Sequence, residues 1–129
     1  MKQHTTNYFS TFIEIAEDCP AAGEFPPDKT PKTAARAEYD MISANPYRYT
    51  SDDVLYSLKG EPKGVSREDF FSKGQPCFRA SALTKRYGWG VHCDGEGKIA
   101  IYAAGSEEYK RFSEDSNLKH VRAIRQSKV

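Results

Sequence analysis

The chain has 129 residues, and 19 Lys and Arg against 18 Asp and Glu leave a formal net charge of +1. That length suits one domain around one core, without metal or disulfide support. Near-neutrality gives no whole-molecule field, so it argues neither for nor against nucleic acid as a whole-protein effect and leaves room for a local anion site.

Eight Tyr and seven Phe supply enough apolar area for a folded rather than a disordered protein. Three cysteines, Cys19, Cys77 and Cys93, are an odd number at wide spacing. They form no CxxC pair and no Cys/His pair at metal-ligand spacing, so reduced thiols in a cytoplasmic protein are the expectation. No metal and no cofactor is implied. The start MKQHTTNYFST lacks the apolar centre of a signal peptide, and no run is long enough for a membrane span.

In chain order, Asn7–Ala16 alternates as a strand, with Phe9, Thr11, Ile13 and Ile15 on one side. Phe12 breaks the pattern and implies that both faces are partly covered. Glu17 to Thr30, broken by Pro20, Gly23, Pro26 and Pro27, reads as a surface wrap anchored by Phe25. Thr30 as N-cap and Pro31 at the first position predict a helix over 31–44, ended by Asn45-Pro46. Tyr47-Arg48-Tyr49 is an aromatic-basic triplet in a connector. It suits either packing against the domain or stacking on a planar ligand with Arg48 on a phosphate.

Thr50 or Ser51 caps the next helix, with Asp52 and Asp53 in its first turn. Lys59–Val65 reads as a break. Ser66 caps a short helix that buries Phe70 and Phe71, and Ser81 caps one further turn closed by Gly88.

The strongest signal is a β-hairpin. Gly88–Asp94 and Lys98–Ala104 alternate with period two around Gly95-Glu96-Gly97, and Gly97 suits the left-handed position of a three-residue loop. The implied register sets Cys93 opposite Ile99, Val91 opposite Ile101 and Trp89 opposite Ala103, an apolar face. The other face carries His92 near Tyr102 over a floor of Gly90 and Ala100. Such a floor suits either a packed helix or one wall of a pocket. A helix from Ser106 to Glu114 turns Tyr109 and Phe112 inward, and Lys119–Arg125 forms a last, edge strand. The architecture expected is α+β, a single small domain over 1–129. Its sheet has three to four mostly antiparallel strands covered by helices.

Charge is segregated. Phe70–Cys93 has no acid but carries Lys73, Arg79, Lys85 and Arg86. Asn117 to the end has none either, and carries Lys119, Arg122, Arg125 and Lys128. Arg79, Lys85 and Arg86, with amides at the Ser81 helix start, suit a phosphate or carboxylate. Trp89 and Tyr102 suit stacking, and His92 a pH-sensitive hydrogen bond. The ligand expected beside residues 88–104 is anionic and partly planar, a nucleotide or a nucleic-acid segment. Two other classes compete. One is a small enzyme using Cys77 as nucleophile with His92 as base. The other is a protein-interaction module with an exposed apolar patch.

The runs NPYRYTSDDVL (Asn45–Leu55) and FFSKGQPCFRASALTKRYGWGVH (Phe70–His92) resemble a family of small uncharacterised bacterial proteins, a domain of unknown function. The resemblance covers most of the chain, with Gly60–Val65 short for that family. It implies a bacterial cytosolic protein and transfers no functional residue.

Overall fold

Residues 3–124 are described in the computed structural model. Arg125 and Lys128 of the C-terminal basic stretch lie outside them. A four-stranded sheet has the order β3-β2-β1-β4. Its strands are β1 (Thr11–Glu14), β2 (Trp89–Cys93), β3 (Ile99–Ala103) and β4 (Lys119–Arg122). β3–β2 and β2–β1 are antiparallel and β1–β4 is parallel, so the sheet is mixed and the fold is α+β, as expected.

The hairpin has the register its turn implied: Cys93 faces Ile99, Val91 faces Ile101 and Trp89 faces Ala103. Gly97 has φ +81° and closes the turn, and a Cβ there would lie 2.9 Å from the Phe9 ring.

Five α-helices flank the sheet: α1 (Ala34–Ala44), α2 (Ser51–Leu55), α3 (Arg67–Phe70), α4 (Ala82–Lys85) and α5 (Glu107–Ser113). The core lies on one face, where Ile13, Val91, Cys93 and Ile99 pack against Ile42, Val54, Leu55, Phe78 and Leu83. On the other face α5 lays Tyr109 and Phe112 on Phe12, with ring centroids 5.0 and 5.4 Å away. Phe12 is therefore fully buried, which accounts for the break in alternation along the first strand.

Four local expectations change. The first strand spans four residues, because Ser10 adopts φ +48° and ends the alternation. Phe9 is thereby turned out, 56% exposed. The first helix begins at Ala34 rather than Pro31, since the Thr33 hydroxyl accepts from Arg36 N–H at 3.2 Å and supplies the cap. Pro26, not Phe25, is the buried residue of the 17–30 wrap. Phe25 is 67% exposed, with its ring centroid 5.5 Å from that of Tyr39 and 6.1 Å from that of Trp89. Finally, Lys59 to Val65 is not a plain break. The second helix widens into a π-helical turn, Tyr56–Gly60, followed by a 3-10 turn, Glu61–Lys63, and Gly64 at φ +73° stops it.

The caps at Thr50, Ser66, Ser81 and Ser106 are present as read. Asp52 does more than favour a helix dipole. Its buried carboxylate accepts from Thr5 Oγ1 at 2.6 Å and from Thr6 N and Oγ1 at 2.7 Å each, clasping the N-terminal segment to α2. No described helix is long and apolar enough to cross a membrane.

Candidate functional site

The connector between α1 and α2 runs along the outer edge of β3. Tyr47 N–H donates to Ile99 O, and Ile99 N–H donates to Tyr49 O, at 2.9 Å each. The chain turns at 46–48, and its two tyrosines diverge. Tyr49 joins the core side, while Tyr47 reaches over the opposite face. To do so Tyr47 adopts φ +60°, a left-handed conformation disfavoured for a bulky side chain.

Its hydroxyl sits 2.8 Å from His92 Nδ1 and 2.8 Å from Tyr102 Oη, bridging the two residues that the hairpin register brought near each other. Phe112 of α5 stacks on the His92 ring with centroids 4.2 Å apart. Burial lowers the His92 pKa below its ordinary value, with Asp94 and Asp115 pulling partly the other way. The imidazole is neutral at neutral pH as a result. Burial, then the adjoining Tyr102 hydroxyl, raises the Tyr47 phenol far above its usual range. The small floor at Gly90 admits the helix: a Cβ there would lie 2.6 Å from the Tyr109 ring.

Beside this relay lies a cleft of about 310 Å³ lined by Tyr39, Ile42 and Ser43 of α1, by Pro46, by Trp89, and by Ala100, Ile101 and Tyr102. The Trp89 indole N–H donates to Glu24 O at 2.8 Å, and its ring lies 5.2 Å from Tyr39. Trp89 and Tyr102, both singled out from the sequence, thus share one cleft. Tyr39 and Pro46 were not singled out as ligand residues. The aromatic connector 47–49 was the available signal for Tyr47, and its bridging role depends on the pairing of that connector with β3.

The cations do not gather at this cleft. Arg79 Nε donates to Arg122 O at 2.7 Å, and Arg79 O accepts from Ile124 N at 2.8 Å, which ties it to the β4 side. β3 and β4 are the two edges of the sheet, three strand spacings or roughly 14 Å apart. Lys85 ends α4, and Arg86 lies over the Tyr87 ring at 5.9 Å. The Ser81 hydroxyl donates to the buried Glu38 carboxylate at 2.6 Å and accepts from Leu83 N–H. It serves the interior rather than an open anion site.

Cys77 Sγ lies 3.6 Å from Tyr8 Oη and acts electrostatically on Cys93. Burial pushes the Cys93 thiol up to about 12. Alternation along β2 sends Cys93 and His92 to opposite faces, so Cys77 and His92 are on different sides of the sheet.

A second cleft of about 640 Å³, lined by His4, Thr5, Asp52, Arg67 and Glu68 among others, lies at the N-terminal clasp. Both Asp52 oxygens are already taken there, and Arg67 is paired with Asp53 at 2.9 Å. Asp52 and Arg67 are thus engaged in holding the chain together.

No curated protein and no solved structure matches the chain. The model of one family, described as a family of unknown function (DUF6157), matches residues 3–129, and the protein belongs to that family.

Proposed function

We propose that this protein binds a planar heteroaromatic small molecule, a nucleotide or its base, in the cleft between α1 and β3. The observation that carries this reading is the lining. About 310 Å³ of concave surface is flanked by Tyr39, Trp89 and Tyr102, with Pro46 alongside. Small-ligand sites combine such apolar, aromatic walls with a few placed polar groups. Here Ser43 adds a hydroxyl-bearing residue to the lining, and Tyr102 links the cleft to the relay that runs through Tyr47 to the neutral His92 imidazole on the other face of the sheet.

The anionic part of the ligand falls to Arg48. It is exposed, follows Pro46 and Tyr47, and lies over the Tyr49 ring at 5.9 Å. Arg79, Lys85 and Arg86 contribute only if the ligand is long enough to leave the cleft, as a nucleic-acid strand is. An enzyme built on Cys77 with His92 gains nothing from this geometry, since the sheet separates the two.

Trp89 is the single tryptophan of the chain, so its fluorescence reports on the cleft. Titration with AMP should give a saturable change that is lost when Ser43→Phe fills the cleft from the exposed side of α1. A mononucleotide should show a shallow salt dependence and an oligonucleotide a steep one. A Trp89 signal indifferent to both, with Ser43→Phe equally indifferent, would sink the reading.

A further inference from the structure

The edge of β3 that borders the cleft has a specific hydrogen-bonding content, set by register. Asp94 N–H donates to Lys98 O, and Ala104 N–H to Gly88 O, at 2.9 Å each. In an antiparallel ladder the backbone groups of successive residues alternate between the partner strand and the outside. From those two bonds, Ala100 and Tyr102 turn their N–H and C=O toward β2, while Ile99, Ile101 and Ala103 turn theirs outward.

Of the three outward residues, Ile99 is fully occupied and Ala103 through its C=O alone. Ile99 uses both of its groups on Tyr47 and Tyr49. Ala103 O accepts from Ser106 N–H at 2.9 Å and from Ser106 Oγ at 2.7 Å. Between them Ile101 lines the cleft, and its N–H and C=O have no hydrogen-bond partner among the described residues. Ile101 is half-buried at the sheet edge, so a ligand can take these groups over from water.

We propose that the N–H and C=O of Ile101 pair with a donor–acceptor edge of the ligand, as a residue of an opposing strand would. The ligand class is a planar ring with a cyclic amide or amidine edge, one N–H donor beside one ring-nitrogen or carbonyl acceptor. The aminopurine and aminopyrimidine bases carry such an edge. This rests on the cleft reading above and narrows it. An extended peptide is disfavoured as occupant, because strand addition needs several residues with both groups open and only Ile101 offers both here. The Tyr39 and Trp89 residues then line one side of the ligand.

The test uses the ¹⁵N-labelled full chain, with adenine capped as 9-methyladenine as probe and its N6,N6-dimethyl analogue, which keeps the ring but loses the exocyclic donor; the N9 methyl removes the second donor–acceptor edge, N9–H beside N3, from both. The capped adenine should perturb Trp89 and shift the Ile101 amide resonance downfield. The dimethyl analogue should bind roughly tenfold more weakly, the equivalent of one lost hydrogen bond. Equal affinity of the two compounds, or an Ile101 amide that stays put while Trp89 responds, overturns the edge pairing and leaves the cleft reading standing. No response of Trp89 to the capped adenine, AMP or the analogue removes both. Ser43→Phe, at an exposed helix position, serves as the blocked control and should abolish both signals.

Discussion

On one face of the sheet Val91, Cys93 and Ile99 meet Ile42, Val54 and Leu83, carbon against carbon, with every side chain nearly fully buried. On the other, His92 stacks on Phe112 and shares a hydroxyl with Tyr102 through a strained Tyr47. The first face depends on the volume of its side chains, which many apolar combinations satisfy. The second depends on three oriented polar atoms, and a small shift would leave one unpaired. A surface built that way is less tolerant than stability alone requires, which is why the cleft beside it is the better place to look for binding.

The comparison can be broken at several points. Phe78 is 1% exposed in the core, and Phe78→Ala should cost about 3–5 kcal/mol, read as a lowered urea midpoint. A cost near zero would mean that the first face is not the principal core.

Gly90→Ala tests the second face by crowding. The added carbon would meet the Tyr109 and Phe12 rings at 2.6 and 2.8 Å, so a loss of about 1–3 kcal/mol is expected. Circular dichroism should show the fold retained, and unchanged stability would mean that α5 is not seated on the hairpin.

Tyr47→Phe removes both hydroxyl bonds and should cost about 1–2 kcal/mol, while leaving core packing intact. The same variant sharpens a pH effect. The folded His92 pKa lies below its unfolded value of 6.5, so its contribution is present above that value and is lost as pH falls through the folded pKa. NMR titration of the His92 ring protons should place the wild-type midpoint below 6.5. A midpoint above it would show that the imidazole is not held neutral.

The smallest effect is expected at Glu38, 3% exposed on α1. Burial raises its carboxyl above 4.5, partly offset by the Ser81 hydroxyl and Lys59. A raised folded pKa gives stability that is present below 4.5 and lost as pH rises through the folded value. Glu38→Gln should flatten that part of the stability profile in urea melts at pH 4 and pH 7. An unchanged slope would show that Glu38 ionises as freely in the folded chain as in the unfolded one.

Local chemistry made much of this fold readable. A Gly-Glu-Gly loop between two alternating runs fixes the hairpin register, because one turn geometry dictates every cross-strand pair. Hydroxyl caps at Thr50, Ser66, Ser81 and Ser106 mark helix starts, because each side chain satisfies an amide within three residues of itself. The same locality failed at Thr30-Pro31, where a second hydroxyl three residues on, Thr33, supplied the cap instead. It failed again at Ser10, where a positive φ ended the strand that alternation had extended to Asn7.

What the sequence determined by itself was the class of fold, the hairpin with its two unlike faces, and the nearness of His92 to Tyr102. All of these rest on interactions between residues a few positions apart or on one turn. Only the tertiary structure decided that Tyr47 completes the relay, that α1 and Pro46 close a cleft over Trp89, and that Arg79 lies across the sheet from it. Those depend on which distant segments pack together, and that choice is made by burial summed over the whole chain rather than by any stretch of it.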